Sequence, residues 1–111
     1  MLNLTKIKDI SMAYIIKNDG ESYAYVQVED SLVVSPDEQT IRVTLQSEKN
    51  REDIEPFGMV VTQKDNRYWI KSDFFEDISI LSPVSVYEGD DAFILVHQVE
   101  DEIMYLHLYC D

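Results

Sequence analysis

Apolar and polar residues alternate along most of this chain, with short polar breaks between the alternating runs. Residues 40–46 show it most clearly: Ile41, Val43 and Leu45 share one face, and Arg42, Thr44 and Gln46 the other. A period of two predicts a half-buried strand. Residues 12–17 and 22–28 are β-prone runs separated by Asn18-Asp19-Gly20-Glu21. Asp-Gly accepts the positive φ of a tight turn, so these runs predict a hairpin. Residues 57–63 and 67–72, on either side of Lys64-Asp65-Asn66, predict another. Residues 31–35 form a short β-branched run that stops at Pro36, and residues 47–55 are charged and unpatterned, which predicts a loop.

The second half continues the pattern. Residues 73–77 break it. Residues 78–87 read as extended but are interrupted at Pro83, which suits an edge strand or a bend. Glu88-Gly89-Asp90-Asp91 predicts a turn, and residues 92–99 and 103–110 predict a final hairpin across Glu100-Asp101-Glu102. That hairpin is apolar on both faces: Phe93 and Leu95 oppose Ile94 and Val96, while Met104, Leu106 and Leu108 alternate with Tyr105, His107 and Tyr109. Such strands lie centrally in a barrel or sandwich, or under a partner. At the amino terminus Leu4, Ile7 and Ile10 have the spacing of one face of a short helix. The expected fold is therefore all-β with one short N-terminal helix as an option. It is a single acidic domain over residues 1–111, a small antiparallel β-barrel or sandwich of seven to eight strands built from hairpins.

Composition narrows the setting. A chain of 111 residues that is 45% hydrophobic, with three glycines and three prolines, suits one packed domain rather than a disordered chain or a linker. Cys110 is the only cysteine, so no intramolecular disulfide can form, which fits a reducing compartment. Residues 1–6 lack the apolar stretch of a signal peptide, and no apolar run is long enough to span a bilayer. The expectation is a cytoplasmic protein with no membrane association.

Candidate chemistry is sparse. The two histidines, His97 and His107, fall on the two arms of the last hairpin, but no CxxC, HxH or HExxH spacing supports a metal site. Whether they share a face depends on register. Glu88-Gly89-Asp90-Asp91 lacks the oxygen spacing of a calcium loop. Cys110 is the penultimate residue, a poor place to hold a nucleophile, and neither a serine elbow nor a phosphate-cradling glycine loop can be drawn. These observations predict no enzyme, no cofactor and no metal. Direct nucleic-acid binding is also disfavoured, because the bases are scattered among acids; Arg67, Tyr68, Trp69 and Lys71 make at most a small basic-aromatic patch, with Trp69 expected in core or interface.

Charge is what remains, and it is lopsided. Residues 1–71 hold twelve acids against nine bases, whereas residues 72–111 hold ten acids and no lysine or arginine. A field of one sign repels polyanions and attracts basic surfaces. On the strand reading, Asp73, Glu76 and Asp77 lie at one end of the final sheet with Glu100, Asp101 and Glu102. Glu88, Asp90 and Asp91 lie at the other end beside Asp111, roughly 25 Å away. Between them runs the strip Ile103, Tyr105, His107 and Tyr109, whose tyrosines would anchor a contact that the carboxylates steer. The bland alternative makes the strip core and the acidic turns a means of solubility.

Two functions are expected from this pattern. One is an acidic, non-enzymatic domain, monomer or homodimer, that inhibits or neutralises a basic partner such as a nuclease, a toxin or another nucleic-acid-binding protein. In composition alone, it resembles the phage-encoded DNA mimics and toxin-immunity proteins. The other is a structural or assembly module, a virion component or a β-domain like a secretion chaperone, that self-associates or packs into a larger complex. A ligand-binding barrel ranks below both, since a roomy interior usually takes a longer chain.

Overall fold

The computed structural model describes residues 3–48 and 55–110. Among them, nine antiparallel strands form one sheet: β1 (Ile7–Ile16), β2 (Glu21–Gln27), β3 (Val33–Val34), β4 (Thr40–Ser47), β5 (Phe57–Lys64), β6 (Arg67–Ser72), β7 (Ser82–Glu88), β8 (Ala92–Val99) and β9 (Glu102–Cys110). Except for β2 and β3, each strand lies beside its sequence neighbours; β9 returns to β1, and β2 pairs with β4. The sheet therefore closes as an eight-stranded meander barrel, with β3 as one extra short strand. The expected all-β barrel is the observed fold.

β2 and β3 share one edge of β4. Tyr25 to Gln27 pair with Leu45 to Ser47, and Val33 and Val34 pair with Arg42 and Ile41. Between them the chain leaves the β4 edge, and Ser31 bridges the gap. Its hydroxyl accepts from the Thr44 backbone N–H at 3.1 Å and donates to the Val28 carbonyl at 2.7 Å. A side chain thus does for Thr44 what the missing strand backbone would have done.

Alternation fills the interior. One inward row crosses Leu95, Leu106, Met12 and Tyr25 on β8, β9, β1 and β2, and Ile41, Val43 and Leu45 face inward from β4 as their period predicts. These side chains are nearly or wholly buried, consistent with a barrel of this strand number being filled by its own residues.

Two short 3₁₀ turns plug the barrel ends. At one end Leu4, in the turn Leu4–Lys6, is fully buried; at the other, Ile78 in Glu76–Ile78 is equally so. Phe75 joins the second plug and packs edge-on to Phe57 and Tyr25 and tilted against Tyr14.

Three local expectations need correction. Leu4, Ile7 and Ile10 do not share a helix face beyond the one turn: Ile7 already begins β1, and the register shifts between Ile7 and Asp9. A 3₁₀ turn followed by a β-bulge reproduces the three-residue spacing of a helix, because the extra residue lets both isoleucines face inward. Ile78 to Leu81 are not strand; β7 starts only at Ser82. Residues 31–35 contribute only two strand residues. Pro83 marks the point where β7 changes partners, pairing with β6 over residues 82–84 and with β8 over residues 85–88. A proline fits there because its missing N–H is not needed on the β8 side. Most of the loop expected at 47–55 lies outside the described residues.

Candidate protein-binding face

The last hairpin places its two apolar faces on opposite sides of the wall. Val99 pairs with Glu102 across a two-residue turn in which Glu100 takes φ 53°. That register sends Met104, Leu106 and Leu108 inward and Ile103, Tyr105, His107 and Tyr109 outward. The strip is therefore outer surface, not core.

Neighbouring strands widen it. His107 lies between Ile94 of β8 and Ser11 of β1; Tyr105 between Val96 and Ala13; Ile103 between Gln98 and Ile15. Tyr87 adds an exposed ring beside Ile94. His107 and Tyr109 stack with ring centroids 6.2 Å apart and planes 13° from parallel. Small side chains at Ser11 and Ala13 keep the β1 part of this face low, so the rings of β9 stand above it. Ile103, although outward, keeps only 7% of its surface.

The acids bracket this face. β8 ends and β9 begins at one rim, where the 73–81 loop also returns, so Asp73, Glu76, Asp77, Glu100, Asp101 and Glu102 share that pole. Glu88, Asp90 and Asp91 sit at the opposite rim, where β7 ends and β8 begins; Asp111 lies outside the described residues. The members of the first pole differ in what they face. Glu100 is exposed at the turn. Glu102 instead points into the barrel mouth, where it lines a small enclosed space with Tyr14, Asp77, His97 and Phe75. Burial, then the hydrogen bond to Glu102 and its charge, push the Tyr14 phenol far above its ordinary range. Glu102 and Asp77 are therefore partly engaged inside the mouth, whereas Glu100, Asp90 and Asp91 are free to meet a partner.

The register also separates the histidines. His97 pairs with Met104 and faces inward, while His107 pairs with Ile94 and faces outward. The wall lies between them. Among the described residues no cluster of three or more histidine, cysteine or carboxylate groups is arranged to hold a metal. No helix among the described residues is long and apolar enough to cross a membrane.

A feature that sequence reading underrated lies on β4 to β6. Arg67, Trp69 and Lys71 project outward, but Tyr68 turns inward and is buried. Trp69 is half-buried on the outer wall, donates its indole N–H to the Lys64 carbonyl at 3.1 Å and lies under the Arg67 guanidinium. Arg42 joins this face from β4. The alternation at 40–46 and 67–72 and the hairpin of β5 with β6 carried part of the signal; the pairing of β4 with β5, which brings Arg42 to this face, did not show in the sequence.

Comparison with known proteins brings no match: no protein-family model, curated protein or solved structure is similar to this chain.

Proposed function

We propose that this chain is a non-enzymatic protein-binding domain that holds a basic, nucleic-acid-binding protein against the outer face of β8, β9 and β1, and so keeps that protein from its nucleic acid. The observation that supports this most is the outward apolar strip from Ile103 to Tyr109 with carboxylates at both ends. Aromatic side chains supply buried contact, and flanking charge supplies steering and register.

The same arrangement argues against a second copy as the occupant. Stacked face to face, two copies set acidic rim against acidic rim, whether the strips run parallel or antiparallel. Like charges across an interface are costly, and a basic surface removes that cost. An assembly role remains the second reading, favoured by the extent of the uncovered apolar face, and it too calls for a different, basic neighbour.

The experiment is capture from lysate at low salt with two variants beside the native chain. One carries Asp90→Asn, Asp91→Asn, Glu100→Gln and Asp101→Asn; the other carries Tyr105→Ala and Tyr109→Ala. A basic nucleic-acid-binding protein should be captured and released by salt. Its association rate should fall about tenfold or more with the amide variant, and its dissociation should quicken with the alanine variant. Capture indifferent to both variants, or a discrete homo-oligomer by light scattering, would overturn the reading.

A further inference from the structure

In the closed wall β5 lies four strands from β9 in either direction, so its outer face points away from the strip. That face holds a groove of about 620 Å³. Gly58, Val60 and Thr62 of β5 form its floor, Arg42 and Lys71 stand on the two flanking strands, and Ile80 and Leu81 form a lip. Ile80 is 73% exposed, which for a large aliphatic side chain beside a groove is a standing cost in water.

The register places the cations. Arg42 pairs with Val60, and Val60 with Lys71, so the two bases stand two strand spacings apart, about 9.6 Å between their Cα atoms. Within the described residues the charged side chain of neither makes an ion pair or hydrogen bond. Asp73, at one end, is the only carboxylate among the described lining residues.

The floor is low because of Gly58. Its φ is not positive, and a Cβ added there would meet nothing within 4 Å. The backbone therefore does not require glycine, and strands disfavour it. What glycine does at this position, opposite Thr44, is lower the floor beside Val60, next to the step that Arg42 and Lys71 flank.

We infer that this groove is a second binding site, for an extended peptide segment bearing two carboxylates on one side with an apolar residue between them. In a polyproline-II conformation side chains three residues apart share a side and are about 9.3 Å apart, close to the spacing of the two cations. Ile80 and Leu81 take the apolar residue. A nucleic acid fits less well: its phosphates form a continuous anionic run that meets Asp73 and the field of a chain with net charge −13, whereas discrete carboxylates can be placed on the cations alone.

Trp69, the single tryptophan, pairs with Thr62 on the outer wall beside the groove and reports occupancy by fluorescence. The full chain is titrated with acetyl-Gly-Glu-Pro-Leu-Glu-Gly-amide, with its glutamine counterpart, and with a short oligothymidylate. The glutamate peptide should give a saturable change. Arg42→Gln with Lys71→Gln should weaken it at least tenfold, and Gly58→Leu should do the same by filling the floor. The four-residue amide variant of the acidic rims should bind the peptide as the native chain does, so this site can fail or hold independently of the strip. Equal binding of the glutamine peptide, tighter binding of the oligothymidylate, or no saturable change with any probe would overturn the inference. Should Gly58→Leu fold poorly, the Arg42→Gln, Lys71→Gln variant decides, since both side chains project from the outer wall.

Discussion

The phenol of Tyr14, near the end of β1, and the carboxylate of Glu102, at the start of β9, line the same small space at one mouth of the barrel. Asp77, from the plug between β6 and β7, adds its charge to the same site. The pair belongs to the barrel's closure rather than to its outer surface, which separates Glu102 from the solvent-facing acids beside it.

A pH dependence follows from the burial of Tyr14 beside the Glu102 carboxylate. The folded state keeps the Tyr14 proton at pH values where the unfolded chain, with an ordinary tyrosine near 10.0, gives it up. The stabilisation is complete below about pH 10 and is lost as pH rises above it. Tyr14→Phe should therefore show a shallower loss of stability on the alkaline side than the native chain. Urea midpoints at about pH 8 and about pH 11 measure it; parallel declines would show that Tyr14 is not held this way.

The two faces of β9 should respond oppositely to truncation. Leu106 is fully buried, so Leu106→Ala should cost about 2–5 kcal/mol, the sum of lost transfer energy and a cavity. Tyr109 is 41% exposed on the outer wall, and Tyr109→Ala should change stability by under about 1 kcal/mol while weakening partner binding. Equilibrium denaturation of both variants tests the register, because a shift of one residue would exchange the two results.

Ser31 supplies a third test. Its hydroxyl contacts both the N–H and, at 3.2 Å, the carbonyl of Thr44. Ser31→Ala leaves the Thr44 N–H without that partner and should cost about 1–3 kcal/mol. Hydrogen exchange at the Thr44 amide should accelerate beyond the global change, showing that the effect is local.

Much of the fold was legible beforehand because local chemistry specifies it. Asp65 and Asn66 take φ of 55° and 62° in the turn where their residue types predicted it, and Gly20 takes 65° in the first hairpin. Ile41, Val43 and Leu45 point inward because a strand with one wet face has no other way to hide them. The amino terminus misled for an equally physical reason: a bulge inserts one residue into a period of two, and Leu4, Ile7 and Ile10 then imitate a helix face.

What this chain settled by itself was its β class, its hairpins, its lack of metal-ligand and nucleophile motifs and the concentration of acid in residues 72–111. Tertiary structure alone decided which of the two apolar faces of β9 is core. Both faces look alike in sequence, and only closure of β9 onto β1, with β2 closing onto β4, sets an inside and an outside. It likewise decided that Glu102 turns into a mouth while Glu100 stays in water, and that Arg42 and Lys71, far apart in the chain, stand on either side of Val60. Alternation tells a side chain that it must choose a face; long-range pairing determines what that face meets.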